Sequence, residues 1–232
     1  MLSRCLICHE IIHQEIGWRT ILMPSKEPMI CSNCENKLET IEGETCRICG
    51  RPFEQLDAEY RHDDLCHDCL RWEEDLGWQG CLDQNISIFV YNDFLKEVMA
   101  KYKFRGDYVL SKLFAEYIKV RIPLADFYVP IPLSAERLYE RGFNQAEAII
   151  TKCGKLPANV LTRLHSEKQS KKKRSERIHL PQVFKLSENV SVEGKSITLI
   201  DDVYTTGSTL RHAAKLLKEV GAEHIYSLTV AR

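Results

Sequence analysis

The stretch Ile197–Leu210, which reads ITLIDDVYTTGSTL, limits the possible folds of this chain more than any other feature. Three of its first four residues are large and apolar and predict a short buried strand, which leads into Asp201 and Asp202. Beyond the stretch, apolar residues recur at helical spacing until Gly221, a residue type that commonly ends helices. A buried strand that passes through a small polar loop into a helix is typical of an α/β fold.

The loop between this strand and this helix has the composition of a phosphate-binding loop. Its residues are small and mostly carry hydroxyl groups: Thr205, Thr206, Gly207, Ser208 and Thr209. Backbone N–H groups and the positive end of the helix dipole favour an anion at such a position. The carboxylates at the strand end can accept hydrogen bonds from the vicinal hydroxyls of a sugar. The alternative is an ordinary strand-to-helix turn with an N-cap rich in Asp and Thr.

Ile197–Leu210 resembles the PRPP-binding motif of type I phosphoribosyltransferases. By this resemblance, the two acids contact the ribose and the hydroxylated loop binds the 5′-phosphate. The resemblance also implies PRPP with Mg²⁺ as ligand and cofactor, and pyrophosphate contacts from Arg137 and Arg141. The sequence has no convincing nucleophile, general base or nucleobase-recognition motif. Turnover is therefore not assured, and in an active enzyme catalysis would depend on Asp201 and Asp202.

Eight of the ten cysteines form four C-x-x-C pairs near the start of the chain: Cys5/Cys8, Cys31/Cys34, Cys46/Cys49 and Cys66/Cys69. Each pair can present two thiolates to one metal ion, so that two pairs complete a tetrahedral zinc site. Chain order favours one zinc ion on the first two pairs and another on the last two. The spacing also permits a cross-braced arrangement of the first pair with the third.

These pairs predict a double zinc ribbon with two structural zinc ions over residues 1–78. The segment has few large apolar side chains, so we expect metal binding to supply much of its folding free energy. The sequence has no signal-peptide pattern and no apolar run near 18 residues. We therefore expect a cytoplasmic protein without a transmembrane segment.

Charge is distributed unevenly along the chain. Residues 1–82 carry 8 Lys/Arg and 16 Asp/Glu, whereas residues 83–232 carry 24 and 17. Basic residues flank an aromatic ring at Lys103-Phe104-Arg105, and a strongly basic run extends from Arg163 to Arg177. Backbone phosphates and stacked bases are natural partners for such residues. The predicted nucleic-acid contacts are Lys103, Arg105, Lys171, Lys172, Lys173, Arg174 and Arg177.

The basic run has few apolar residues and no periodicity, which predicts a flexible loop over about 163–180. Two functions compete for this loop: a lid that reaches pyrophosphate, or an arm that grips a nucleic-acid backbone. The alternative to both is a solvated charged loop without a specific ligand.

Hydrophobic periodicity predicts an α/β domain over residues 79–232. Strands are expected over Ile86–Tyr91, Phe127–Leu133, Phe184–Leu186 and Ile225–Val230, in addition to the one that precedes Asp201. Helices are expected from Phe94 to Tyr102, from Val109 to about Val120, and after Gln145 to about Lys152. The fold class is thus a phosphoribosyltransferase-like twisted, mostly parallel sheet with flanking helices, preceded by a small Cys-rich double zinc ribbon module.

Several further strings resemble the ComF family of late competence proteins. They are PIPLSAERLYERGFNQA from Pro130, KFRGD from Lys103, the basic segment Gln169–Arg177 and the TTGSTL loop. The resemblance implies an accessory protein of natural transformation that binds incoming single-stranded DNA together with a ComFA-type DEAD-box ATPase. It also implies a cytosolic protein that works with the uptake machinery, at most peripheral at the inner face of the membrane. The alternatives are an active phosphoribosyltransferase with an unknown acceptor, and a PRPP- or nucleotide-binding regulator without turnover.

Overall fold

The computed structural model of the chain describes residues 3–12, 27–164, 183–188 and 190–232. The strands are β1 Arg61–His62, β2 Leu65–Cys66, β3 Gln84–Phe89, β4 Phe127–Pro130, β5 Leu161–Arg163, β6 Phe184–Leu186, β7 Ser196–Val203 and β8 His224–Ala231. The α-helices are α1 Ser32–Glu35, α2 His67–Glu74, α3 Asp93–Phe104, α4 Leu110–Ile118, α5 Ala135–Arg141, α6 Gln145–Lys152 and α7 Ser208–Glu219. None of the helices in the described ranges is long and apolar enough to cross a lipid bilayer.

A four-stranded parallel sheet forms the centre of the molecule, in the order β3-β8-β7-β4. β7 lies between two partners, with Ile197 opposite Ile225 of β8 and also opposite Phe127 of β4. Parallel neighbours need crossover connections, and helices supply them here. The predicted α/β fold with a parallel sheet is therefore confirmed.

Side chains along β7 alternate between two cores on opposite faces of the sheet, as the two-residue period of a strand requires. Ile197 and Leu199 pack in a core with α7 and with the cysteines from Cys46 to Cys69. Ile200 packs in the other core, with α3, α4, α6 and the first cysteines of the chain. The sheet is thus covered on each face by helices and by one half of the Cys-rich region.

The helices lie close to their predicted positions, with one difference. Asn92 caps α3, since its Oδ1 accepts a hydrogen bond from the N–H of Leu95 at 2.9 Å. The helix expected after Gln145 is α6, and the preceding helix α5, over Ala135–Arg141, was not predicted. Gly142 ends α5 in the left-handed region with φ 77°, and Asn144 then caps α6 by accepting from the N–H of Ala146 at 2.9 Å.

The Cys-rich region is attached to the open edge of the sheet at β3. The N–H of Ile41 donates to the carbonyl of Ile88 at 2.8 Å, and the N–H of Asn85 donates to the carbonyl of Ile48 at 2.6 Å. An unpaired edge strand is a liability that proteins usually cover. The two halves of the molecule therefore share hydrogen bonds as well as apolar contacts.

Candidate functional site

The acidic pair lies at the carboxyl end of β7, where cations from two other segments reach it. Lys103 Nζ lies 2.9 Å from Asp202 Oδ2, and Arg141 Nη1 lies 3.6 Å from the same oxygen. These three side chains are only 10–17% exposed. The Oε1 of Gln145 accepts a hydrogen bond from Arg141 at 2.9 Å and so orients the guanidinium. The site thus brings together the ends of α3, α5 and β7.

The two neighbouring carboxyls differ in their electrostatic environment. Burial raises the pKa of Asp201 to about 7, and the adjacent Asp202 carboxylate adds to this effect. The backbone N–H of Asp202 donates to Asp201 Oδ1 at 2.8 Å, which acts in the opposite direction. Near neutral pH, Asp201 therefore exchanges between its acid and carboxylate forms, whereas Lys103 and Arg141 lie beside the carboxylate of Asp202.

The hydroxylated loop joins β7 to α7 and depends on a glycine. Gly207 has φ 77°, in the left-handed region, and a Cβ at this position would overlap the Tyr204 hydroxyl. α7 begins at Ser208, so the first N–H groups of the helix are not used within it. The loop N–H groups and the helix dipole therefore favour an anion at this position. We call Thr205–Thr209 the anion loop.

Other predicted site residues lie on α5, directly after α3, or outside the described ranges. Arg137 is exposed on α5, and Arg105 is exposed at the end of α3. Arg163 was not among the predicted site residues. Burial lowers the pKa of Arg163, the nearby Arg137 cation lowers it further, and Asp201 acts in the opposite direction. The remaining predicted nucleic-acid contacts lie outside the described residues: Lys171, Lys172, Lys173, Arg174 and Arg177.

Exposed aromatic and apolar side chains adjoin the acidic pair. Phe104 is 67% exposed and its ring centroid lies 5.7 Å from the Arg141 guanidinium carbon. On α5, Tyr139 is 91% exposed and Leu138 is 45% exposed. The signal for Phe104 was its position between two basic residues, whereas nothing in the sequence pattern distinguished Tyr139.

The cysteines form two clusters in the sequential pairing that chain order favours. One consists of Cys5, Cys8, Cys31 and Cys34, and the other of Cys46, Cys49, Cys66 and Cys69, with all sulfur atoms in each cluster within 4.8 Å of one another. Four sulfurs at about 2.3 Å from a tetrahedral zinc ion are about 3.8 Å apart. The Cys8–Cys31 and Cys49–Cys66 sulfur distances are 3.7 and 3.5 Å, so both clusters fit zinc. The cross-braced pairing is excluded.

We call these two clusters the first and the second zinc site. Neither contains a histidine, although His62 and His67 lie close to the second. The Nε2 of His62 lies 3.2 Å from the Nδ1 of His67, and both rings are directed toward each other at the surface. Four thiolates complete each site, as the sequence predicted.

A parallel sheet with a PRPP-type loop, joined to two four-cysteine sites, defines a zinc-ribbon protein with a phosphoribosyltransferase-like domain. Residues 3–70 match the double zinc ribbon domain and residues 141–232 match the phosphoribosyl transferase domain. Competence protein ComFC of Bacillus subtilis (strain 168) is 40% identical over 235 residues, which cover 98% of this chain and 94% of that protein.

Two further relatives support the same assignment. Competence protein ComFC of Streptococcus pneumoniae (strain ATCC BAA-255 / R6) is 32% identical, over 99% of this chain and 100% of its own length. DNA utilization protein YhgH of Escherichia coli (strain K12) is 28% identical, over 83% of this chain and 86% of its own length. The chain belongs to the ComF family, and its similarity to the ComFC proteins extends over nearly its whole length.

Proposed function

We propose that this protein binds single-stranded DNA in natural transformation and holds backbone phosphates at the anion loop and its cationic neighbours. The observation that carries the proposal is the convergence of Lys103 and Arg141 on Asp202, next to a helix N-terminus. The names of the relatives, competence proteins and a DNA utilization protein, support a role in DNA uptake. The excess of basic residues in 83–232 supports an acidic partner.

Phosphate can replace the carboxylate of Asp202 as the partner of both cations. Arg141 would then form charge-assisted hydrogen bonds to phosphate oxygens, and Lys103 would act as a point charge. The exposed Phe104 ring offers a stacking surface for a base whose phosphate lies at the loop, because any base can stack on an aromatic ring. This combination of cations and an exposed ring favours single strands over duplex.

The proposal includes a partner and a location. A protein that holds single strands at the uptake machinery would receive them from a ComFA-type DEAD-box ATPase on the cytoplasmic side of the membrane. Exposed acidic residues of the zinc ribbons, such as Glu42 and Glu59, are poorly suited to DNA. We therefore assign partner docking to the zinc ribbons and DNA to the opposite, basic part of the chain.

Fluorescence anisotropy of a labelled single-stranded oligonucleotide, titrated at two salt concentrations with and without excess PRPP, tests the proposal. We expect affinity to fall with salt, and Arg141→Gln to lower the slope of log affinity against log salt by about 0.7. Arg47→Gln is the matched control, since Arg47 is exposed in the zinc ribbon and paired with Asp64. Displacement by PRPP would place the oligonucleotide at the anion loop. Absence of binding at low salt would overturn the proposal.

A second candidate is a phosphoribosyltransferase that uses PRPP with Mg²⁺. The acidic pair favours it, because carboxylate oxygens can hold a ribose and offset a hard cation. In that case Asp201 and Asp202 would bind the ribose, the anion loop the 5′-phosphate, and Arg137 the pyrophosphate. Acceptor-dependent release of pyrophosphate, lost in the double variant Asp201→Asn with Asp202→Asn, would support this enzyme. Binding of PRPP without product from any acceptor would support a regulator instead.

A further inference from the structure

Arg211 is a charged side chain that lies wholly inside the protein, between the anion loop and the second zinc site. It belongs to the first turn of α7, and its N–H donates to the carbonyl of Gly207 at 2.8 Å. Its side chain is 0% exposed. A buried guanidinium is costly unless its surroundings supply opposite charge and acceptors.

The acceptors of Arg211 lie in the zinc ribbon and in the segment that directly follows it. Its Nη2 donates to the sulfur of Cys69, a ligand of the second zinc site, at 3.7 Å. Its Nη1 donates to Glu73 Oε1 at 2.9 Å and to the Cys81 sulfur at 3.9 Å. The guanidinium carbon also lies 5.3 Å from the centre of the Trp72 ring. One side chain of α7 therefore contacts a metal ligand and both ends of the helix that carries that ligand.

Charge explains why arginine occupies this position. A zinc ion with four thiolates carries a formal charge of −2, and all four cysteines of the second site are buried. Arg211 compensates part of this charge, and Arg51 contributes through its electrostatic interactions with Cys66 and Cys49. Partners that donate to metal ligands orient those ligands and stabilise the bound metal.

Tyr204 and Arg232 provide a second connection between the anion loop and the second zinc site. The Tyr204 hydroxyl lies under Gly207. The Arg232 guanidinium carbon lies 4.5 Å from the centre of the Tyr204 ring, and its Nη1 donates to the carbonyl of Cys49 at 3.4 Å. The underside of the anion loop is therefore connected to two zinc ligands. Arg211 links it to Cys69, and Tyr204 with Arg232 links it to Cys49.

We propose that Arg211 is a positioning residue that couples metal occupancy of the second zinc site to the conformation of the anion loop. With zinc bound, the thiolate of Cys69 holds the guanidinium, and the first turn of α7 and Gly207 are held with it. Without zinc, Arg211 loses the negative charge of the zinc-bound thiolates, and the turn loses this anchor. The consequence for ligand binding depends on the function proposed above, whereas the coupling itself does not.

Zinc release from the full-length, zinc-loaded protein into a chromophoric chelator tests the coupling without any DNA or PRPP. Cys8→Ser removes a ligand of the first zinc site and so identifies which kinetic phase belongs to the second. We expect Arg211→Met to weaken zinc binding at the second site by about 10- to 100-fold and to leave the first unchanged. Arg47→Met is the matched control, since it makes the same change next to the ligand Cys46 at an exposed side chain.

Coupling is reciprocal, so a change in the anion loop must reach the metal. Gly207→Ala places a Cβ on the Tyr204 hydroxyl, and Gly207 is not itself a zinc ligand. We expect faster zinc release from the second site only. Arg211→Lys keeps the charge without the planar fork and should fall between wild type and Arg211→Met. This series remains informative if Arg211→Met does not fold.

Two results would overturn the coupling. One is that the Gly207→Ala and Arg211 variants fold, as judged by circular dichroism, but release the second zinc ion within twofold of the wild-type rate. The other is equal acceleration at both zinc sites, which would indicate general destabilisation. Failure of the wild-type protein to bind oligonucleotide and PRPP would instead overturn the proposed function, and the zinc-release result would stand.

Discussion

The two zinc sites have the same four ligands but differ in how they are embedded in the molecule. In the first, Cys8 is exposed and Cys31 is partly exposed, whereas all four cysteines of the second are buried. The first site contacts the rest of the protein through local links, such as Lys101 Nζ donating to the Ile7 carbonyl at 3.0 Å. Each site also joins a core of the domain: the first shares one with α3, α4 and α6, and the second shares one with β7 and α7. The ligand motif therefore predicts which metal ion binds, but it does not predict which part of the structure that ion stabilises.

The difference follows from how each site compensates its charge. At the first site, water reaches the sulfur of Cys8, which lies 3.7 Å from the Glu10 carboxylate. At the second, burial removes water, and buried Arg211 together with Arg51 and Arg232 supplies positive charge. Removing a metal from a buried, charge-compensated site leaves unpaired cations inside the protein, which is strongly destabilising. We therefore expect unequal consequences of losing each zinc ion.

The largest expected effect comes from removing one ligand of each site. Cys46→Ser should lower the free energy of unfolding by about 5 kcal/mol, or roughly 15 °C in Tm, because metal binding supplies folding free energy and all four cysteines of the second site are buried. Cys8→Ser should cost about 2 kcal/mol, since its site is at the surface. Thermal unfolding, together with metal analysis that gives two zinc equivalents for wild type, checks both.

Equal losses of Tm in the two variants would contradict the asymmetry between the sites. A wild-type content of one zinc equivalent or none would contradict the double zinc ribbon itself.

The next effect concerns the hydrogen bonds that attach each site to the domain. Asn85 is 1% exposed, and its side chain donates to the Cys49 carbonyl at 3.1 Å and accepts from Ser227 Oγ at 2.8 Å. Asn85→Ala removes both of these buried hydrogen bonds and should cost about 3 kcal/mol. Lys101→Met, which removes the corresponding link at the first site, should cost about 1 kcal/mol. Urea unfolding measures both, and a larger loss for Lys101→Met would reverse the comparison.

How far the sequence could predict these features depends on the range of the interactions. β7, the anion loop and the four C-x-x-C pairs are local patterns, and the structure confirms the strand, the loop position and the two clusters. The contact between Arg211 and Cys69 joins residues 142 positions apart, and no local period records it. The only sequence signal was an arginine within the apolar stripe of α7, between Leu210 and Ala214.

The acidic pair shows the same limit. The two adjacent acids after a strand could be recognised in the sequence. Lys103 was predicted as a nucleic-acid contact, but the sequence did not predict that its ammonium group lies beside Asp202. The site is assembled from the ends of α3, α5 and β7, and the distances between these ends are set by the packing of the sheet. Residue type therefore predicted the chemistry of each segment, and tertiary structure determined which segments meet.

A third prediction concerns how the carboxyl of Asp201 makes the stability of the protein depend on pH. The folded-state pKa of Asp201, about 7, lies above its unfolded value, so the folded state binds the extra proton and stability falls as pH rises toward 7. Asp201→Asn mimics the neutral acid. Its stability relative to wild type should therefore increase by about 1.4 kcal/mol between pH 6 and pH 8.

Urea unfolding of wild type and Asp201→Asn at the two pH values gives this difference directly. The neighbouring Asp202, Lys103 and Arg141 are present in both proteins, so the comparison isolates the carboxyl of Asp201. A difference that does not change with pH would show that the pKa of Asp201 is not raised. Asp126→Asn is the control, since hydrogen bonds from Ser196 lower the pKa of this surface acid and no such rise is expected.

The smallest expected effects come from the same substitution, tyrosine to phenylalanine, made on each face of the sheet. Tyr102, in the core that contains the first zinc site, donates its hydroxyl to the Gln145 carbonyl at 2.8 Å. Tyr204, in the core of the second, is 3% exposed, and its hydroxyl has no hydrogen-bond partner within the described residues. Tyr102→Phe should therefore cost about 1 kcal/mol, whereas Tyr204→Phe should be neutral or stabilise by up to about 1 kcal/mol.

Opposite signs in urea unfolding would show that the hydroxyl beneath Gly207 is retained for something other than stability, and the anion loop directly above it is the nearest candidate. Equal losses would mean that an ordered water satisfies the Tyr204 hydroxyl and that the two faces do not differ in this respect. Anisotropy of the Tyr204→Phe protein with the labelled oligonucleotide then separates the alternatives. Weaker binding by a variant of undiminished stability would assign the hydroxyl to the loop.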